Sequence, residues 1–450
     1  MDLASRRAVV VGLGLSGVAA ARLLLARGAR VVAADSAPLD RLSDAARALA
    51  GAGAAVVAGP HPGDLFAGAD LCVVSPGVPA FPALAAFEAG GGEVIGELEL
   101  ASRFVDAPIA LVGGTNGKST TTALVFEMLR RTPGASPFVG GNFGTPLVEA
   151  IGAGHSHLVV EISSFQAERV PTLHARAHAL LNVTADHLDR YPSLSAYAEA
   201  KGRPFLRMEA DDVAVVPAGD ALCAAEARRG QARLVTFDGG DGAAPADVRV
   251  DGGRLADSGS GWSWPLDEVR LTGRHNLANA CAAVATARAM GATREAIGAA
   301  LASFEGLAHR TALVAEVGGV RYYDDSKGTN VGASVAALRG LAEPRAVLIA
   351  GGRDKLGAYD PLVDALRERG RGLVLIGEAA ERIAAAAAGV LPIARASSMD
   401  EAVRAARALA TPGDAVLLSP ACSSFDMFRD YKDRGDAFVR AVRAIAEERA

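Results

Sequence analysis

The run Gly113-Gly114-Thr115-Asn116-Gly117-Lys118-Ser119-Thr120 is where this sequence offers chemistry most plainly. Glycines let successive backbone N–H groups turn toward one point. A helix starting just behind them adds the positive end of its dipole. Together they cradle phosphate oxygens. An apolar strand pattern over 109–112 leads in, and a helical pattern over 121–131 leads out. In such a loop Lys118 reaches the β- and γ-phosphates, and the Ser119 hydroxyl takes a Mg2+ position. The motif departs from the usual phosphate loop, because Val112 stands where its first glycine belongs. A metal beside phosphate also asks for a carboxylate. Glu161 follows strand-like Leu158-Val159-Val160 and precedes Ile162-Ser163-Ser164-Phe165-Gln166, which is where such a ligand belongs. On its own, Glu161 could equally be an acid at a helix N-terminus.

A second glycine motif, Gly12-Leu13-Gly14-Leu15-Ser16-Gly17, follows apolar Val9-Val10-Val11 and opens a helical pattern. Asp35 closes the next strand pattern. By spacing this is a dinucleotide fingerprint: glycines for a tight turn against a diphosphate, an acid for a ribose hydroxyl. No hydride-transfer constellation follows it.

These motifs need elements to hold them. Strand-like runs at 8–11, 31–34, 71–74, 109–112, 158–160, 347–350, 373–376 and 415–418 are each followed by Gly, Ser or Asp and then a helical segment. That alternation predicts an α/β protein with mainly parallel sheets. At roughly 100–200 residues per domain, breaks near 105–108 and 306–308 divide the 450 residues into three domains, 1–106, 107–308 and 309–450. The stretch 312–323 reads as a hairpin, and Gly-rich 239–261 as surface hairpins and loops. A net charge of -5, from 46 basic and 51 acidic residues, gives no basic excess for nucleic acid or a membrane surface. Cys72, Cys223, Cys281 and Cys422 are too scattered for a zinc site or a disulfide framework. With no signal-like or membrane-spanning apolar run, a cytoplasmic location is the expectation, and a monomer is the default.

Further motifs follow in order: Asn182-Val183-Thr184-Ala185-Asp186-His187-Leu188-Asp189-Arg190-Tyr191, Gly273-Arg274-His275-Asn276-Leu277-Ala278-Asn279, Asp324-Asp325-Ser326-Lys327-Gly328-Thr329-Asn330 and Ser419-Pro420-Ala421-Cys422-Ser423-Ser424-Phe425. With the short phosphate loop and the Glu161 segment, this series resembles the Mur ligases over nearly the whole chain. Its Ser-Ser-Phe-Gln and Asp-His-Leu-Asp-Arg-Tyr wording is most like the members that add D-glutamate. The resemblance implies three α/β domains: an N-terminal Rossmann-like domain for a UDP-linked substrate, a central phosphate-loop ATPase domain, and a C-terminal Rossmann-like domain for the amino acid. It implies ATP as the energy source, two Mg2+ positions, and UDP-N-acetylmuramoyl-L-alanine and D-glutamate as substrates. The L-alanine-adding members and the folate-polyglutamate enzymes share the ATP machinery, but the latter lack an N-terminal domain of this kind.

The chemistry such a resemblance implies brings two anions together, a γ-phosphate and a carboxylate, so it needs concentrated positive charge. Lys118 and a metal held by Ser119 and Glu161 supply part of it. His187 and Lys201 are implied for a second metal, with Lys201 carbamylated into an anion. Pro204, soon after Lys201, ends or kinks the helix that carries it. Asn276, Arg310, Asp325 and Lys327 are implied as further ATP contacts. Asn279 is as well explained by core hydrogen bonding. Gly14, Leu15, Ser16, Asp35, Ser36, Ser75, Gly77 and Asn142 are implied for the UDP substrate, so the fingerprint serves UDP rather than a dinucleotide. Thr329, Lys355, Ser424, Phe425 and Tyr431 are implied for D-glutamate, whose two carboxylates call for a cation and hydroxyls.

Overall fold

The computed structural model describes residues 2–187, 190–240, 242, 244–271, 273–354 and 358–448. The chain forms three sheets.

The first sheet contains β1 (Arg7–Val11), β2 (Arg30–Asp35), β3 (Ala55–Ala58), β4 (Leu71–Val74) and β5 (Glu93–Ile95), in the order β3-β2-β1-β4-β5 and all parallel. Its inner strands are continuous Val, Ala, Leu and Cys, as strands covered on both faces require. Helices α1 (Leu15–Ala26), α2 (Asp44–Arg47), α3 (Pro82–Ala89) and α4 (Glu97–Ser102) accompany it. The order turns back between β1 and β4, the switch point where such sheets open a crevice.

The second sheet runs β14-β13-β12-β11-β10-β9-β6-β8-β7. Its strands are β6 (Ile109–Gly113), β7 (Pro137–Gly141), β8 (His157–Glu161), β9 (Ala177–Leu180), β10 (Val213–Pro217), β11 (Arg233–Asp238), β12 (Val248–Asp251), β13 (Arg254–Asp257) and β14 (Trp262–Pro265). β12 and β13 form an antiparallel hairpin within the Gly-rich 239–261 stretch, as expected, and β14 just beyond it pairs antiparallel with β13. Its helices are α5 (Lys118–Arg130), α6 (Ser164–Ala167), α7 (Leu194–Gly202), α8 (Ala221–Ala227), α9 (Arg274–Ala289) and α10 (Arg294–Ser303). Pro204 does end its helix: α7 stops at Gly202, and a 3-10 turn, Arg203–Arg207, continues.

The third sheet, β15-β16-β20-β17-β18-β19, is parallel except for the hairpin β15 (Ala312–Val317) and β16 (Val320–Asp324). β17 (Ala346–Gly351), β18 (Gly370–Ile376), β19 (Ile393–Arg395) and β20 (Ala415–Leu418) complete it, with α11 (Val331–Gly340), α12 (Asp360–Arg369), α13 (Ala380–Ala386), α14 (Met399–Leu409) and α15 (Tyr431–Glu447).

Contacts divide the chain into two compact units. One is Met1–Val183, Ser195–Glu268 and Asn279–Ser303; the other is Thr184–Leu194, Val269–Ala278 and Phe304–Ala450. The first unit holds two sheets, joined through α4. Glu97 Oε1 accepts from the Val148 amide at 2.7 Å, and Glu99 Oε2 accepts from the amides of Thr172 (3.0 Å) and Leu173 (2.9 Å). Leu98 and Ala101 pack with Leu147, Val148 and Leu173 in one core. Among the described residues no helix is long and apolar enough to cross a membrane, and all four cysteines are buried and unpaired.

Candidate active site

The phosphate loop leaves β6 and ends at the first turn of α5. Sheet register brings its partners alongside: Val112 is level with Glu161 on β8, and Glu161 is level with Gly141 on β7. The Ser119 hydroxyl donates to Glu161 Oε2 at 2.5 Å. Asn142 donates from Nδ2 to Glu161 Oε1 at 2.6 Å and from its amide to the Glu161 carbonyl at 2.9 Å. Glu161 is buried, yet both its oxygens are held by polar groups. Ser163 and Gln166 form a capping box at the start of α6, with Gln166 Oε1 accepting from the Ser163 amide at 2.9 Å. The Ser-Ser-Phe-Gln wording thus fixes how the chain turns away from Glu161.

The loop is shaped by its neighbours. Asn182, just beyond β9, accepts from the Asn116 amide through Oδ1 (2.9 Å) and donates to the Asn116 carbonyl (3.1 Å). Its own carbonyl accepts from the Thr115 amide at 2.9 Å. Gly117 has φ 85°, and a Cβ there would lie 2.3 Å from Asn279 Oδ1. A side chain is therefore excluded twice, by backbone conformation and by space. Asn279 is buried against the loop. Beneath lies His178, fully buried against Phe205. Burial pushes its pKa down to about 4, so the ring is neutral.

Two ammonium groups meet at one carbonyl. Lys118 Nζ donates to the carbonyls of Gly114 (3.0 Å) and Thr115 (2.8 Å), and Lys201 Nζ donates to Gly114 at 2.8 Å. Lys201 is buried in the last turn of α7, its Nζ 4.3 Å from the Tyr197 ring centre.

A separate cleft of about 660 Å³ opens at the switch point of the first sheet. Gly12, Gly14, Leu15 and Ser16 line it from the β1–α1 turn, Asp35 and Ser36 from the end of β2, and Ser75, Pro76 and Gly77 from the end of β4. The turn is tight, since a Cβ at Gly17 would sit 1.8 Å from the Gly12 carbonyl oxygen. Asp35 holds the turn's shape: its Oδ2 accepts from the Leu13 amide (2.7 Å) and its Oδ1 from the Ala37 amide (2.9 Å). His61 and Phe81 also line the cleft. Sequence reasoning missed both, since neither belongs to a glycine motif.

In the other unit, loops at the carboxyl ends of β16 and β20 come together. Asp325 is buried and accepts from Ser419 Oγ (2.6 Å) and the Thr311 amide (3.1 Å). Burial raises its pKa to about 7, against the pull of Ser419, Arg310 and Thr311. Lys327 Nζ lies 4.0 Å from the centre of the Tyr431 ring, and Asn330 caps α11 through the Ala333 amide (2.8 Å). Ser424 is buried, whereas Phe425 is 65% exposed. Arg434, fully buried on α15, was not foreseen. It donates to Ser326 Oγ (3.0 Å), to the Ser326 carbonyl (2.8 Å) and to the carbonyls of Cys422 (3.2 Å) and Ser423 (3.3 Å), stitching the two loops together. His187 has a left-handed backbone (φ 54°), and its Nε2 is 3.7 Å from Asp186 Oδ2. That carboxylate also accepts from Asn330 at 3.1 Å. Asn276 lies in the first turn of α9. Lys355 lies outside the described residues.

Three family models match the chain in order: "Mur ligase MurD-like, N-terminal domain" over residues 6–96, "Mur ligase middle domain" over 112–287, and "Mur ligase, glutamate ligase domain" over 309–422. Among curated relatives, the UDP-N-acetylmuramoylalanine–D-glutamate ligases of Syntrophotalea carbinolica and Anaeromyxobacter dehalogenans are 44% and 46% identical, over 99% and 100% of this chain and 99% of each relative. Of solved structures, a pseudomurein peptide ligase type C from Methanothermus fervidus shares the fold with a TM-score of 0.62 at 17% identity, covering 98% of this chain and 100% of that one. The MurF ligase from Thermotoga maritima in complex with ADP also gives 0.62 at 17% identity, over 100% of both chains. The chain belongs to the Mur ligase family.

Proposed function

We propose that this chain is the ligase that adds D-glutamate to UDP-N-acetylmuramoyl-L-alanine, with ATP going to ADP and phosphate, in peptidoglycan precursor synthesis. The observation that carries it is the coexistence of two different anion cradles in one unit: a phosphate loop with Ser119 and Glu161 fixed beside it, and a cleft of about 660 Å³ at the glycine turn of a Rossmann-like sheet. The activity for which end-to-end relatives are named supports the same substrates. A nucleotide-linked substrate and ATP belong to the cytoplasm, and a monomer suffices because both cradles are built from one chain.

A carboxylate is a poor electrophile, so the reaction must first attach phosphate to it. Backbone amides of Gly114 to Lys118 hold the β- and γ-phosphates, and Lys118 offsets charge as the substrate carboxylate attacks the γ-phosphorus. ADP departs, leaving an acyl phosphate. The D-glutamate amine then attacks the acyl carbon, loses a proton, and phosphate leaves. Asn142, by fixing the Glu161 carboxylate, acts as a positioning residue in this reading. Thr329, Ser424, Phe425, Tyr431 and Lys355 form the D-glutamate side, with Arg434 holding the loops that carry Ser424 and Lys327.

Ser119 Oγ and Glu161 Oε2 are adjacent hard oxygen donors, a donor set that fits Mg2+ completed by phosphate oxygens and water. Bound there, the metal would neutralise phosphate charge. His187 and Lys201 are proposed for a second Mg2+. Lys201 suits a metal only as an anion, and carbamylation would make it one. Two ammonium groups on the Gly114 carbonyl repel each other, which favours converting the buried one.

The test is phosphate release from ATP by the full chain with UDP-N-acetylmuramoyl-L-alanine, Mg2+ and a panel of amino acids. Release dependent on D-glutamate is expected. Dependence on any other amino acid would refute the reading.

A further inference from the structure

The cleft in the first sheet has a wall that the glycine motifs do not explain. His61 comes from the loop after β3, and Phe81 directly precedes α3. Their ring centres are 4.9 Å apart and tilted by 41°. Phe81 in turn lies 6.1 Å from buried Phe66, which stacks on Phe87 at 5.0 Å. An aromatic chain therefore runs from the core of the sheet to the cleft surface and holds His61 in place. Val78, Pro79 and Pro82 line the same side. This wall is aromatic and apolar, unlike the amide-rich turn at Gly14 to Ser16.

The chemistry of the His61 ring is constrained as well. Its Nδ1 is buried and has no hydrogen-bond partner among the described residues. A proton on Nδ1 would be an orphaned buried donor, which is costlier than a bare acceptor nitrogen. In the neutral ring the proton therefore sits on Nε2, and the Nε2 edge is the one left for the cleft. A diphosphate is served by the turn after β1, where backbone amides and the start of α1 converge. What suits the aromatic wall is a planar ring carrying carbonyl acceptors.

We propose that His61 reads the uracil base of the UDP-linked substrate, donating from Nε2 to a base carbonyl while Phe81 backs the contact. This rests on the cleft being the UDP site. It adds a specificity-determining residue that lies outside every motif of the sequence.

The experiment is steady-state kinetics of the full chain with UDP-N-acetylmuramoyl-L-alanine as varied substrate, with UDP and uridine as competitors. His61→Phe keeps the ring but removes the donor. It is expected to raise KM for the UDP-linked substrate about 3- to 10-fold, the loss of one neutral hydrogen bond, with kcat and KM for ATP unchanged. UDP and uridine should weaken by the same factor. His61→Gln restores an N–H donor and should stay within about 2-fold of the wild type. Unchanged KM in His61→Phe, or equal damage in His61→Gln, would overturn the assignment. Weakening of UDP but not of uridine would move His61 to the diphosphate and overturn it too. A wild-type chain that UDP fails to inhibit would instead refute the UDP reading of the cleft itself.

Discussion

Replacing Glu97 by Gln should make the first unit less stable at pH 5 and more stable at pH 8. Glu97 opens α4 and is 4% exposed. Its Oε1 accepts from the Val148 amide at 2.7 Å, while Oε2 is buried with no partner among the described residues. Burial pushes its pKa from 4.5 to about 7; amides of Val148 and Leu147 pull the other way, and Glu149 adds to the rise. In the unfolded chain the proton leaves near pH 4.5, whereas the folded chain keeps it until about 7. Between those values the folded state binds the extra proton, so stability falls as pH rises. At about 1.4 kcal/mol per pH unit across that window, the loss comes to about 3 kcal/mol.

Gln keeps an acceptor for Val148 and cannot ionise. Its amide N–H2 takes the unpartnered position, at a cost of about 1–2 kcal/mol at every pH. The variant should therefore lose by about 1 kcal/mol or less at pH 5 and win by about 1–2 kcal/mol at pH 8. Urea unfolding followed by tryptophan fluorescence reads this directly. Both tryptophans, Trp262 and Trp264, lie in the same unit as Glu97. A difference between variant and wild type that is equal at the two pH values would show that Glu97 is not a buried acid, and the reasoning would fail.

Two further outcomes are expected. Native mass measurement in bicarbonate should find the mass of one CO2 on the protein, lost in Lys201→Ala together with about 10- to 100-fold of turnover; full turnover without bound CO2 would end the carbamate proposal. Arg434→Lys gives at most three N–H donors and no fork where the guanidinium serves Ser326, Cys422 and Ser423. It should cost about 2–4 kcal/mol in thermal unfolding and lower kcat, and an unchanged melting curve would refute the stitching role.

Parallel strands announce themselves because both faces are covered: the runs at 8–11, 71–74, 347–350 and 415–418 all lie in central strands. The phosphate loop was legible for a similar reason, since glycine, lysine and a following helix have few other uses in that order. Glu161 was ambiguous in sequence; its place beside Ser119 follows from register, which sets β8 between β6 and β7. Asn182 and Asn279 shape the loop from elsewhere in the chain, and no local spacing reveals that. That the Asn142 amide donates to Glu161 could not be read from its place after a glycine pair, because β7 and β8 meet only in the sheet. Arg434 reads as an ordinary helical arginine until its carbonyl partners are seen. His61 and Phe81 meet only because the loop after β3 crosses back toward β4.

The division into two units also bears on how the chain can be taken apart. The segments Thr184–Leu194 and Val269–Ala278 belong with Phe304–Ala450, although they are embedded in the sequence of the other unit. The polypeptide therefore crosses from one unit to the other at five places: after Val183, Leu194, Glu268, Ala278 and Ser303. A single protease cut after Val183, Leu194, Glu268 or Ala278 leaves parts of both units on one fragment, and a fragment beginning at Phe304 lacks two of its own pieces, including His187 and Asn276. The third sheet is thus a poor module for excision or grafting, even though one continuous stretch supplies all its strands.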